Sequence, residues 1–103
     1  MNKYQTVLQF PSTTIEDYDD IVEIENRLIE FLGIDHEIDG HDMGLGEMNI
    51  FILTEAPEKL FRAVQKLLSS DSRWSEIRVA YREMASCRYT VLWPKTLKTF
   101  SIS

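Results

Sequence analysis

Between positions 35 and 47 the chain sets Asp35, His36, Glu37, Asp39, His41, Asp42 and Glu47, and both of its histidines fall in that stretch. Imidazole together with carboxylates is a donor set for transition metals, and clustered carboxylate oxygens suit harder cations. The same groups can do acid–base work, because histidine titrates near neutrality and a neighbouring carboxylate orients its ring. His41 with Asp42 or Glu47 is the candidate pair. The run from Gly40 to Gly46 holds three glycines in seven residues and reads as a hairpin loop, where glycine lets the backbone come close to a ligand. Asp39, His41, Asp42 and Glu47 are therefore the candidate ligand-binding residues. A polar turn that is simply solvated is the alternative reading of the same residues.

The spacing names no particular metal, cofactor or catalytic residue. Asp35, Glu37, Asp39 and Gly40 imitate the opening of a calcium loop, but the third position is Glu, and Gly46 stands where the closing glutamate belongs, with Glu47 one place late. Gly44-Leu45-Gly46 lacks the third glycine of a dinucleotide fingerprint and precedes a strand. Cys87 is the single cysteine, which excludes an internal disulfide and any multi-cysteine metal site. It has no paired base and is expected to be an inert, buried thiol in a reducing cytoplasm.

The run Asp39-Gly40-His41-Asp42-Met43-Gly44-Leu45-Gly46-Glu47-Met48-Asn49-Ile50-Phe51-Ile52 resembles a stretch found in small bacterial proteins of unknown function. The resemblance covers about a seventh of the chain. It implies no activity and assigns no role to any residue.

Hydrophobic periodicity supplies the elements that must hold this stretch. Tyr4 to Phe10 is rich in strand formers and Pro11 stops it. Thr13 and Glu16 stand at capping-box spacing and open a helix in which Tyr18, Ile21, Ile24, Leu28, Phe31 and Leu32 line one face. Gly33 ends it. Ile34, His36 and Ile38 alternate with Asp35, Glu37 and Asp39, a strand with an acidic side of the kind that protects a sheet edge. Glu47 to Thr54 is apolar in both directions and reads as a central strand. Pro57 starts a second helix with Leu60, Phe61, Val64, Leu67 and Leu68 as its stripe, broken by Ser69 to Ser72. Strands follow around Ile77–Arg82 and Tyr89–Trp93, with Pro94 closing the last.

The order β-α-β-β-α-β-β predicts one α+β domain over 1–103, with the tail from 95 ambiguous. It predicts a ferredoxin-like sandwich: two helices on one face of a mostly antiparallel sheet of four or five strands, the first and third strands central and the second at an edge. The apolar side chains on the other face of the third strand, where Met48, Ile50 and Ile52 stand against Phe51 and Leu53, with an aromatic such as Trp93 or Tyr89, then need cover from a second copy or from the Lys95–Ser103 tail.

Charge is divided along the chain. Residues 1–47 carry twelve acids and two bases, a net of −10, while residues 48–103 carry five acids and nine bases, a net of +4. An acidic whole speaks against nucleic acid and anionic membranes as partners, and no apolar run reaches the ~20 residues that span a bilayer. The expectation is a small cytoplasmic interaction or ligand-binding domain without catalysis. It is expected to form a homodimer through the open sheet face and to offer its acidic first helix to a basic protein, as an immunity-type inhibitor does. The rival is a small enzyme or metal-dependent sensor built on His41, Asp42 and Glu47.

Overall fold

Tyr4–Pro11 forms β1, and β-branched and aromatic residues there alternate between the two sheet faces. In the computed structural model, residues 3–11, 18–33, 36–44 and 46–102 are described; the Thr13/Glu16 capping box and the start of the second strand at Ile34 and Asp35 lie outside them. The remaining elements are α1 (Tyr18–Leu32), β2 (Glu37–Gly44), β3 (Glu47–Thr54), α2 (Pro57–Leu68), β4 (Arg78–Glu83) and β5 (Thr90–Trp93), with a short 3-10 helix at Ser72–Glu76 that the sequence pattern did not suggest. Among the described residues this is an α+β arrangement of two α-helices and a five-stranded sheet in the order β2-β3-β1-β4-β5. Every neighbouring strand pair is antiparallel. β1 and β3 lie inside, β2 forms one edge, and β5 extends the sheet beyond β4.

Both helices cover the same sheet face. Ile21, Ile24 and Leu28 of α1 and Leu60, Val64 and Leu68 of α2 share one core with Leu8, Phe10, Met48, Ile50, Ile52 and Val79. Each apolar side chain of this size contributes roughly 1.5–3 kcal/mol when fully buried, so the two helical stripes hold the layer in place. Trp93 belongs to this side. A register shift between Val79 and Ala80 sets it opposite Val79, and its ring meets Phe61 at 6.0 Å and Trp74 at 5.8 Å. The expectation that Trp93 lies on the other face is thereby corrected.

The second sheet face is not bare. Val7 and Ala80 are 0% exposed on it. The chain beyond Pro94 crosses there without regular structure: the Ser101 carbonyl accepts a hydrogen bond from Gln9 Nε2 at 3.0 Å, and the Phe100 ring lies 5.0 Å from Tyr89.

Candidate functional site

The glycine-rich stretch is a strand rather than a loop. β2 runs on to Gly44, with His41 opposite Ile50, Asp42 opposite Asn49 and Met43 opposite Met48. Of its glycines, Gly46 serves the turn with φ +75°, whereas Gly40, at φ +110°, follows a register shift between Ile38 and Gly40. That shift leaves Asp39 as the extra, exposed residue of a bulge. The sequence reading of a seven-residue loop is corrected accordingly: ladder pairing with β3 wins over the local turn signal.

Strand geometry then separates the candidate residues, because neighbours on a strand point to opposite faces. His41 turns toward the helices, where its Nδ1 lies 2.7 Å from Glu25 Oε1 of α1. Asp42 turns to the second face, where its Oδ1 accepts from Asn49 Nδ2 at 3.0 Å. Glu47 is on that face too, nearly buried, and its Oε2 accepts from Gln9 Nε2 at 2.7 Å and from Asn49 Nδ2 at 3.1 Å. Asp42 and Glu47 thus meet through Asn49, while His41 sits across the sheet from both and Asp39 stands apart at the bulge. His36, just before β2, places Nδ1 2.8 Å from Thr54 Oγ1. Among the described residues no three His, Cys, Asp or Glu side chains gather as a metal ligand set. Cys87 is exposed in the β4–β5 connection, not buried as expected.

Two polar constellations escaped the sequence reading. One is the buried set Gln9, Glu47 and Asn49, with Gln9 1% and Asn49 0% exposed. Gln9 between Leu8 and Phe10, and Asn49 between Met48 and Ile50, were its only trace. The other joins α1 to the 3-10 helix. Asp71 Oδ1 accepts from the Arg73 backbone at 2.9 Å and from Arg73 Nε at 2.8 Å, and Oδ2 accepts from Arg73 Nη2 at 2.7 Å and Arg27 Nη1 at 3.1 Å. The Arg73 guanidinium holds the Asp71 carboxyl far below the usual carboxylate range, and Asp71 in turn raises Arg73 above its own. Arg82 is also tied into the fold: its Nη1 donates to the carbonyls of Glu83, Met84 and Ser86, and its Nε to Gln5.

The exposed charged residues of α1 and β2 are acidic. Asp19, Glu30, Glu37 and Asp39 are exposed, and among the described residues none of them has an ion-pair partner. Ile29 of α1 and Met43 of β2 are 54% and 59% exposed. No helix of the described residues is long and apolar enough to cross a membrane. Comparison with models of protein families, with curated proteins and with solved structures gives no match.

Proposed function

We propose that this chain is a protein-interaction domain that binds a basic protein segment along the acidic side formed by α1 and β2, acting by binding rather than catalysis. The observation that carries the reading is the set of exposed carboxylates on two consecutive elements, Asp19 and Glu30 of α1 and Glu37 and Asp39 of β2, none with an ion-pair partner among the described residues, together with the exposed apolar side chains of Ile29 and Met43 on the same two elements. Unpaired charge steers a complementary partner and fixes its register, and apolar contacts supply affinity. Inhibition of a basic partner, in the manner of an immunity protein, is one form this binding would take. A cytoplasmic setting belongs to the same proposal and is supported by the lone, exposed thiol of Cys87. A ferredoxin-like architecture also belongs to it. The inner order β2-β3-β1-β4, with a helix after β1 and another after β3, supports that reading, and β5 is then an added edge strand. A homodimer through the second sheet face would share that face with the tail at Ser101.

The test is affinity capture with the intact chain and with the double variant Glu37→Lys/Asp39→Lys. Both side chains are exposed on the edge strand, so the fold should persist by circular dichroism. The expected result is capture of proteins with lysine- and arginine-rich surfaces by the intact chain, lost in the variant. Equal capture by both overturns the reading.

A further inference from the structure

We infer that the outer surface of the helix layer binds a second copy of this chain, about a two-fold axis running along the groove between α1 and α2; this rests on reading α1 as a partner-facing surface and names one partner for it. The two helices touch and share one core, and their outward stripes have opposite sign. On α1, Asp19, Glu23 and Glu30 are exposed at steps of four and seven residues, a stripe ~16 Å long at the α-helical rise. On α2, Lys59, Arg62 and Lys66 are exposed at steps of three and four, a stripe ~10 Å long. The charges are not spent on each other. Among the described residues Lys59, Arg62 and Lys66 have no ion-pair partner, and neither do Asp19 and Glu30, while Glu23 faces Arg27 and Arg73. Phe31 is 45% exposed. It lies one turn beyond Arg27, which reaches toward Asp71, so it faces the α2 side of the layer.

Topology selects the symmetry. α1 connects β1 to β2, which run the same way, and α2 connects β3 to β4, which also run together; β1 and β3 are antiparallel, so the helices run in opposite directions. A two-fold axis along their groove sets α1 over the partner's α2 and α2 over the partner's α1, acid on base twice. A two-fold axis across the groove would set acid on acid and base on base. Like charges facing across an interface oppose association, so the first arrangement is the one this surface specifies. It is isologous and closes as a dimer. Phe31 of each copy then enters the contact beside the charged stripes and supplies apolar burial.

The experiment is sedimentation equilibrium of the intact 12.0 kDa chain and of two charge-reversed variants, Asp19→Lys/Glu30→Lys and Lys59→Glu/Lys66→Glu. The intact chain should dimerise, with a dissociation constant rising about tenfold or more between low and high salt as the charges are screened. Each variant alone should be monomeric with an unchanged far-ultraviolet spectrum. Mixed one to one, they should form a heterodimer, because the reversed α1 of one now meets the reversed α2 of the other. An intact chain that stays monomeric at millimolar concentration and low salt overturns the inference, and so does a dimer that both variants retain. Glu37→Lys/Asp39→Lys should keep the dimer while losing the basic partner, so failure of either reading is seen separately.

Discussion

Gln9 Nε2 donates to Glu47 Oε2 at 2.7 Å across 38 positions of sequence, on the face of the sheet turned away from the helices. The same nitrogen lies 3.1 Å from Asn49 Oδ1 and 3.0 Å from the Ser101 carbonyl. Three acceptors therefore converge on one amide group, and two of them belong to buried side chains of β3. Gln9→Leu keeps the volume and removes the donor. Stranding buried acceptors, one of them a carboxylate, costs roughly 1–3 kcal/mol. We expect a loss of about 2 kcal/mol, or a melting temperature lower by roughly 8–16 °C for a domain of this size. Thermal denaturation at neutral pH measures it, and a drop of less than about 2 °C would mean that the cluster contributes little.

The tail is the next element to test. Truncation after Pro94 removes the Ser101 acceptor and the Phe100 ring beside Tyr89. It also uncovers a face on which Val7 and Ala80 are fully buried. Loss of one half-buried aromatic contact and one hydrogen bond is expected to cost on the order of 2 kcal/mol, and binding of an apolar dye should rise. An unchanged melt with no dye binding would mean that the tail rests on the sheet without holding it.

The fold was legible wherever one periodicity ran uninterrupted. Ile21, Ile24 and Leu28 declared the buried face of α1, and the two-sided apolar run of β3 declared an interior strand. The stretch 40–46 misled because glycine marks both turns and bulges, and only the pairing of His41 and Met43 with β3 decides between them. That decision moved His41 to one face and Asp42 to the other, which dismantled the candidate acid–base pair. The Gln9–Glu47–Asn49 cluster and the Arg27–Asp71–Arg73 link were not legible because each depends on residues brought together from about 40 positions apart.

Thr6 is 0% exposed on β1, opposite Ile52 and Tyr81. Its Oγ1 is buried without a hydrogen-bond partner among the described residues. A buried hydroxyl that has given up water and gained nothing is a net cost. Thr6→Val replaces it with a methyl of similar shape and is expected to stabilise the chain by about 1 kcal/mol. Chemical denaturation of the two proteins compares them directly. A less stable valine variant would mean that the hydroxyl is satisfied in solution.

Asp71 gives the fold an acid-side pH dependence whose sign follows from its surroundings. Hydrogen bonds from Arg73, aided by Arg27, hold its carboxyl far below the ordinary range in the folded chain; unfolded, it returns to about 3.9. A carboxyl lowered by folding adds stability that is fully present above the unfolded value. That stability fades as pH falls below about 4 and is gone once pH drops below the folded value. Asp71→Asn keeps an oxygen for the Arg73 backbone amide but loses the charge that holds both guanidinium groups. Hydrogen bonds to a charged group contribute roughly 1.5–3 kcal/mol each, and with the side chain 13% exposed solvent screens them little. The variant should be less stable than the parent by about 2 kcal/mol at pH 7, a hydrogen-bond-scale loss, and the gap should narrow steadily between about pH 4 and pH 2. Parallel thermal melts across that range are the measurement. A gap that stays constant with pH would mean that Asp71 acts only as the cap of the 3-10 helix and that its charge does no work in joining α1 to the chain beyond α2.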